Sequence, residues 1–581
     1  MISKLRNSVL AAVAAVLLTP LQVPLAQAQV VVIAGGGGSG AYLAGRQALF
    51  HSDFQASAEY YAKALSSDRT NPVLMDSLVL SQLALGHLDR ALPVARLMVD
   101  QGLHSQVANM VVTADLITDE QFDTLVDRDP QTHGVGPLVD GLLTAWAHMG
   151  AGSVTQAMEQ FDTVAQENGL RSFALYHKAM ALAVIGDFEA AEALYADETD
   201  GITAMTRRSA MARAEILSQL DRNDDAVAML TDAFGTNLDP SLQDMVTRLS
   251  KGETLPFRHV ANVQDGMAEV FFTIGAALNG EASDDYALVY TRTASYLRPD
   301  HIDALLLGAE LLDTLGQFDL AVAAYRQVPT DSPDYHAAEM GRAEALRRAG
   351  KPDAAIEVLE QLARSYPDLP AIQTALGDLQ RQQEDYAGAV AAYDRALELM
   401  EPDAPSRWFL LYARGISHER LKHWPQAEAD FRAALALNPD QPQVLNYLGY
   451  SLVEKQIKLD EALDMIERAV AARPDSGYIV DSLGWVLFRL GRYDEAVDHM
   501  ERAVELMAVD PVVNDHLGDV YWAVGRHLEA EFQWKRALSF IDPEDTDGEA
   551  DPDRIRRKLE IGLDAVLAEE GAAPLQVAND D

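Results

Sequence analysis

The chain has 581 residues, with 46 Lys and Arg against 89 Asp and Glu, a formal charge of −43, and no cysteine. A chain this acidic repels phosphate backbones, which argues against a nucleic-acid partner. Without cysteine it has no disulfide, no thiolate metal site and no attachment point for a thioether-linked lipid. Hydrophobic residues make up 48% of the sequence, enough for the continuous core of a folded protein.

The first residues have the three parts of a secretory signal. Lys4 and Arg6 are basic, Val9–Leu18 is apolar, and Ala26–Ala28 offers a small-x-small cleavage site. The apolar stretch is shorter than the roughly 20 residues that a transmembrane helix needs. We therefore predict a signal peptide over 1–28, with an uncleaved inner-membrane anchor as the alternative. The mature chain is expected to have no membrane span, and a cysteine-free exported chain favours the bacterial periplasm.

Residues 29–40 are an apolar and then glycine-rich run, predicted to be a linker. Within it, Gly35–Gly40 matches the G-x-G-x-x-G pattern of dinucleotide sites. That pattern needs a strand before it and a βαβ unit around it. Because this stretch leads into a helical array with no following strand, we expect no nucleotide site here.

An alanine recurs along most of the chain, usually at a spacing of 34 or 35 residues. This period is typical of the helix–turn–helix units of tetratricopeptide repeats (TPR). Two wider gaps, of 66 and 61 residues, each leave room for one further degenerate unit. The predicted fold is all-α, a right-handed TPR α-solenoid (superhelix) of roughly 12–14 helix–turn–helix units in two arms. The alanines are Ala91, Ala157, Ala191, Ala226, Ala287, Ala321, Ala355, Ala389, Ala427, Ala462, Ala496 and Ala530.

The predicted boundaries follow the repeat and its interruptions. Gly252 and Pro256 break the pattern between the arms. After the array, an acidic stretch precedes a helix from about Arg554 to Leu567, which we expect to cap the last unit, and a disordered tail. The divisions are an N-terminal arm over 41–250 with a degenerate unit at about 105–136, a joint over 251–267, a C-terminal arm over 268–543, and a final segment over 544–581.

Small residues define each unit. Gly484 is expected to admit the neighbouring helix, and Ala496 to lie where the two helices of its pair cross. Gly491 should end the first helix in the left-handed conformation that glycine adopts most easily. In the first unit, Gly45 is the small residue of the first helix, and Tyr60-Tyr61 with Ala64 provide the aromatic–alanine pair of the second helix.

The candidate site is the groove formed by the first helices. Positions of about 5, 9 and 12 share one helical face, which lines the concave surface of a TPR array. Asn and Asp there can hydrogen-bond a partner's main chain, and aromatic rings supply rigid contact area. The alternative is that Trp485 and Trp522 pack between repeats. The predicted groove residues are Asn446, Tyr450, Val453, Asp481, Trp485, Phe488, Asp515, Asp519 and Trp522.

No convincing catalytic or metal-binding constellation is present in the sequence, so we predict no enzyme activity, no cofactor and no metal. His418 and His423 resemble a zinc-protease pair, but five residues rotate a helix by about 140°, which separates the rings. The acidic stretch over 543–554 lacks the first and last ligands of a calcium loop.

The C-terminal units resemble a family of exported proteobacterial TPR proteins. The resemblance is carried by Asn446-Tyr-Leu-Gly-Tyr450, Gly477-Tyr-Ile-Val-Asp-Ser-Leu-Gly-Trp485 and Asn514-Asp-His-Leu-Gly-Asp-Val-Tyr-Trp522. Some members are outer-membrane lipoproteins, and one type brings a carboxyl-terminal processing protease to cell-wall hydrolases. This chain departs from them by lacking the cysteine that carries the lipid. The resemblance implies an envelope scaffold.

Together these observations predict a non-enzymatic scaffold or adaptor of the bacterial envelope, which binds segments of other envelope proteins in its concave groove. Two alternatives remain: a structural subunit of a polysaccharide or pilus export machine, and a subunit of an enzyme complex.

Overall fold

A computed structural model describes residues 38–197, 201–202, 206–235, 238–542, 550–572 and 574–575. Within these residues every regular element is a helix, and there are 32 of them. The predicted all-α fold built from helix pairs is therefore confirmed. The predicted signal peptide over 1–28, residues 29–37 of the predicted linker, residues 543–549 of the acidic stretch and the end of the predicted tail over 576–581 lie outside the described residues.

The chain divides into two compact units, Met1–Leu362 and Ala363–Asp581. The described helices of the first unit are α1 (Gly38–Phe50), α2 (Phe54–Ser67), α3 (Pro72–Ala84), α4 (Leu88–Asp100), α5 (Gln106–Thr118), α6 (Phe122–Asp127), α7 (Pro130–His133), α8 (Pro137–Gly150), α9 (Val154–Ala165), α10 (Arg171–Val184), α11 (Phe188–Ala196), α12 (Arg207–Gln219), α13 (Asn223–Phe234), α14 (Pro240–Ser250), α15 (Val263–Leu278), α16 (Asp284–Leu297), α17 (Ile302–Thr314), α18 (Phe318–Tyr325) and α19 (Tyr335–Arg348).

The unit boundary falls within α20 (Pro352–Ser365). The described helices of the second unit are α21 (Pro370–Gln382), α22 (Tyr386–Leu399), α23 (Arg407–Arg420), α24 (Trp424–Leu437), α25 (Pro442–Glu454), α26 (Leu459–Ala472), α27 (Gly477–Arg489), α28 (Tyr493–Leu506), α29 (Pro511–Ala523), α30 (His527–Phe540), α31 (Pro552–Ile561) and α32 (Leu563–Glu569).

Helix starts and turns follow local sequence rules. Several first helices begin with proline, as at Pro72 and Pro511, behind an Asn or Asp whose side chain accepts the exposed N–H groups of the first turn. Gly491 ends α27 at φ 75°, which confirms the predicted left-handed turn.

The repeated small residues let the two helices of a pair approach closely. The recurring alanines of the second unit, such as Ala427 and Ala496, are fully buried. In the second unit, each glycine near the middle of a first helix faces a large side chain of its partner helix, so a Cβ atom added there would lie within 2.8 Å of that side chain. The pairs are Gly377 with Tyr393, Gly415 with Phe431, Gly449 with Ile466, Gly484 with Met500, and Gly518 with Trp534.

Three predicted boundaries are refined by the structure. The first helix begins at Gly38, so the last three residues assigned to the linker are helical. The degenerate unit at 105–136 has a full first helix, α5, but only the short α6 and α7 after it. The expected capping helix is split into α31 and α32 at Gly562, where φ is 84°.

The predicted joint over 251–267 does not separate two arms, because it lies inside the first compact unit. Leu255 and Val260 are buried, and the Leu255 N–H donates to Ser218 Oγ at 2.8 Å. Gln219 Nε2 donates back to the Leu255 carbonyl at 2.6 Å. The segment therefore packs on α12 as part of the unit, and its last five residues belong to α15.

None of the helices in the described part of the chain has the length and apolarity that crossing a membrane requires.

Candidate binding surface

The first helices of the second unit are α21, α23, α25, α27 and α29. We call the side chains at positions 5, 9 and 12 of these repeats the first-helix face, numbered so that the glycine packed against the second helix is at position 8. Its members divide by exposure into an open part and a closed part. The open part is partly exposed and consists of Thr374, Asp378, Arg381, Tyr412, Ile416, Glu419 and Tyr450. The closed part consists of Asn446, Val453, Asp481, Trp485, Phe488, Asp515, Asp519 and the partly exposed Trp522.

The open part combines fixed aromatic rings with charged groups. Tyr412 lies with its ring centre 5.9 Å from that of Tyr447 and 6.1 Å from that of Phe431, which fixes its orientation. Burial raises the pKa of Tyr412 to about 12. Asp378 accepts a hydrogen bond from the Tyr393 hydroxyl at 2.7 Å, so this carboxylate is also held in place.

Trp485 is packed between repeats and is not open to solvent. Its ring stacks on Phe488 at 4.9 Å and on His516 of the next repeat at 3.9 Å. Its indole N–H donates to Glu454 of the preceding repeat at 2.8 Å. With 8% of its surface exposed, Trp485 follows the alternative reading of the sequence, in which it joins neighbouring repeats.

His516 is an ionisable contact between two repeats. Its Nδ1 atom lies 3.0 Å from Asp481 Oδ2. Burial alone would lower the pKa of His516, but the charge of Asp481 and its hydrogen bond outweigh burial, so that the pKa is raised. Asp481, predicted to meet a partner's main chain, is instead used within the array.

Asp515 and Asp519 are likewise occupied by the chain itself. The Lys558 ammonium of α31 lies 2.8 Å from Asp515 and 2.6 Å from Asp519. Trp534 also donates its indole N–H to Asp519 at 2.9 Å. Burial raises the pKa of Asp515, although the nearby Lys558 charge acts in the opposite direction.

The remaining predicted residues differ in their surroundings. Trp522 donates its indole N–H to Asp564 of α32 at 2.9 Å, and a Cβ at Gly562 would lie 2.5 Å from its ring. Phe488 and Val453 are buried, whereas Tyr450 is partly exposed. Asn446 is buried, and its Oδ1 accepts no hydrogen bond from the described residues.

The expectation of an open groove is therefore wrong for the predicted residues that are buried, namely Asn446, Val453, Asp481, Trp485, Phe488, Asp515 and Asp519. Partner binding by these residues stays a prediction. Tyr412 occupies the same position as Asn446 but lies one repeat earlier in the chain, before the first of the predicted groove residues. Prediction from the sequence also missed Lys558, whose signal was a basic stretch in an acidic chain.

The first unit fills its own first-helix surface. Helices α15 and α16 lie against α3, α5, α8 and α10. Gln106 of α5 accepts a hydrogen bond from the Tyr286 hydroxyl at 2.9 Å, and Arg292 donates to the Ala84 carbonyl at 3.1 Å. Two helices of this chain thus occupy the place where a partner segment would lie.

A buried ionic cluster fixes α15 in that place. Arg208 of α12 donates to the fully buried Glu269 at 2.7 Å, and the Tyr176 hydroxyl donates to it at the same distance. His301 lies 3.0 Å from Glu269. Burial would raise the pKa of Glu269, but the Arg208 charge and the hydrogen bonds hold it well below its usual range. Burial, aided by Arg208, lowers the pKa of His259 to about 4.

The hydrogen bonds and ion pairs of this cluster join α10, α12, α15 and the start of α17. Within the described part of the chain, no group of three or more His, Asp or Glu side chains is arranged to hold a metal ion. The candidate site considered below is the open part of the first-helix face.

Comparison with known proteins identifies the repeat. The tetratricopeptide repeat family profile matches residues 142–201, 306–370, 340–407, 412–476 and 454–511. Over these residues the chain is similar to tetratricopeptide repeats. The paired helices, the glycine contacts and the 34-residue period are those of a TPR α-solenoid.

Several TPR proteins are similar to it. The TPR repeat-containing protein PA4667 of Pseudomonas aeruginosa is 37% identical over 83 residues, which span 14% of each protein. Among solved structures, the APC/C hetero-tetramer Cut9-Hcn1 is 14% identical with a TM-score of 0.36, and the match covers 90% of this chain and 96% of that one. MamA of AMB-1 is 26% identical with a TM-score of 0.26, covering 29% of this chain and 96% of that one.

Proposed function

We propose that this protein is a non-enzymatic scaffold that binds segments of partner proteins along the open part of the first-helix face. One observation carries the proposal: in a TPR array, seven side chains at equivalent positions remain partly exposed from α21 to α25. They include the fixed ring of Tyr412, the apolar Ile416 and the charged Arg381. Rigid rings supply contact energy and charged groups set orientation, which is the composition of protein-binding hot spots.

Tyr450 extends the same surface to α25. It is partly exposed and lies one helical turn after the buried Asn446.

We further propose that the partners are envelope proteins and that the protein acts in the periplasm. Support comes from the basic, apolar and small-residue pattern over 1–28 and from the resemblance of the C-terminal units to exported TPR proteins. The alternative for the same segment is retention as an inner-membrane anchor.

Site-specific photocrosslinking in cells tests the proposal. A crosslinking amino acid at Tyr412 or Ile416 should capture a defined set of proteins, whereas the same group at the exposed Glu398 of α22 should not. Mass spectrometry of the purified protein should find Gln29 as its first residue. Equal capture at all three sites would remove the support for a binding face, and a retained Met1 would favour the anchor.

A further inference from the structure

The last repeat carries a cation site that its own chain fills. Lys558 of α31 is 1% exposed. Its ammonium contacts Asp515 and Asp519 and lies 5.6 Å from the centre of the Trp534 ring. Two carboxylates and an aromatic face recognise an ammonium group well. The occupant is therefore defined by charge and shape.

The helix that delivers Lys558 has few buried residues. Helix α31 buries only two of its ten residues, Ile555 and Lys558, whereas α27 of the array buries eleven of its thirteen. Hydrophobic stabilisation follows the apolar area buried, so α31 contributes far less of it than a repeat helix. Of its four basic residues, Arg554 and Lys558 approach carboxylates of α29. Arg556 and Arg557 pair with acidic residues of α31 and α32 themselves.

A buried ion pair of this kind fixes position more than it stabilises. The desolvation of Lys558 and its two carboxylates offsets much of their attraction. Removing the cation and leaving the carboxylates buried is costly, but replacing it with another cation in the same geometry is nearly neutral. The contact therefore favours exchange of one lysine-bearing segment for another.

We propose that α31 and α32 form an autoinhibitory pair, which covers the first-helix face of the last repeat until a basic partner helix replaces it. The inference rests on the proposed function, because it assigns the closed part of the same face to partner binding. The predicted groove residues Asp515, Asp519 and Trp522 then meet a partner only in the displaced state.

The contacts of α31 define what the partner must present. Arg554 approaches Asp519 at 3.7 Å and Lys558 binds it one turn later. Ile555 is fully buried, and Leu559 packs against the same apolar cluster. Residues at i, i+1, i+4 and i+5 lie within a sector of about 140° around a helix, which is the width of a broad amphipathic stripe. The partner is therefore an amphipathic helix with the pattern Arg-Ile-x-x-Lys-Leu or a close equivalent.

A labelled peptide of residues 550–572 provides the probe, and the full chain is the receptor. We expect Lys558→Ala to bind the peptide about tenfold or more tightly than the wild-type chain does, because the internal competitor is weakened. Arg556→Ala, which changes an exposed basic residue of the same helix, should bind like the wild type. Adding Asp515→Asn and Asp519→Asn to Lys558→Ala should abolish binding.

Equal affinity of Lys558→Ala and wild type would overturn the proposal, as would undiminished binding of a peptide whose own lysine is replaced by alanine. A Lys558→Ala dimer that the peptide dissociates would identify a second copy as the occupant and overturn the partner helix. Circular dichroism establishes that each variant is folded.

Hydrogen exchange of the wild type gives a second test that needs no variant. The amides of α31 and α32 should exchange through an opening that leaves α27 and α29 protected. Exchange of all four helices at one rate would show that the pair is an integral cap. Crosslinking at Tyr412, three repeats before the last, reports on the proposed function separately, so failure of one test is distinguishable from failure of the other.

Discussion

His177 shows how one buried residue makes the stability of the first unit depend on pH. Trp146 donates its indole N–H to His177 Nδ1 at 3.4 Å, so His177 carries its proton on Nε2, which donates to Thr273 Oγ1 at 3.1 Å. A second proton would be placed on Nδ1, facing the Trp146 N–H. Burial accordingly lowers the pKa of His177 from 6.5 to about 4. This residue therefore favours the folded state only while it is neutral.

The expected consequence is a loss of stability on acidification. Between pH 6.5 and about 4 the unfolded chain takes up a proton at this residue and the folded chain does not, so the free energy of unfolding falls as the pH falls. The full effect is on the order of 3 kcal/mol. His177→Gln preserves an acceptor for Trp146 and a donor for Thr273 but does not titrate. Urea unfolding at pH 7 and pH 4.5 should show a smaller acid loss in His177→Gln than in the wild type; equal losses would contradict this account.

The roles of the repeat glycines could be predicted from the sequence, whereas the role of His516 could not. Gly484 and Gly491 were predictable because their roles depend on neighbours within one helix pair. The pairing of His516 with Asp481, 35 residues away, depends on the stacking of successive repeats, and no local pattern specifies it. For that reason Asp481 was predicted to bind another protein, whereas it pairs with His516 of the next repeat.

At the scale of helices, α15 is held in the first unit by the buried ion pair between Arg208 and Glu269. Glu269 is fully buried, and Arg208 forms three hydrogen bonds with its carboxylate. Glu269→Gln leaves the Arg208 guanidinium facing a neutral amide, although Asp303 still neutralises it from the other side. Loss of one partner of a buried pair typically costs about 3–5 kcal/mol.

We therefore expect Glu269→Gln to lower the unfolding midpoint of the first unit and to increase amide exchange in α15 and α16. The matched control is Glu495→Gln, which removes a carboxylate from an exposed pair with Arg492 and should leave the midpoint unchanged. If both variants behave like the wild type, the cluster does not hold α15, and the apolar contacts of that helix must be sufficient.

The placement of α15 and α16 also marks where prediction from the sequence ended. The period and the small residues identified helix pairs correctly, including α15 with α16. The same pattern gave no indication that this pair would pack on α3 and α5, because the bond between Tyr286 and Gln106 joins residues 180 positions apart. The break near Gly252 was consequently interpreted as a joint between arms.

At the scale of the whole molecule, the division into two compact units limits how far a local change acts. In repeat proteins each unit contacts mainly its neighbours, so stability is a sum of local and interface terms. The Glu269 cluster stabilises contacts within Met1–Leu362, and the contact between Gly518 and Trp534 lies within Ala363–Asp581. The two sites share no residue, and their effects should be additive.

Gly518→Ala is the matched perturbation of the second unit. A Cβ there would lie 2.4 Å from the Trp534 ring, and overpacking of this kind costs about 1–3 kcal/mol. Hydrogen exchange with mass spectrometry should place the effect of Gly518→Ala in α27 to α30 and that of Glu269→Gln in α10 to α17. The double variant should show the sum of the two. Loss of protection in both units from either single change would mean that the chain unfolds as one cooperative body, and the autoinhibitory pair would then be unable to open without the rest.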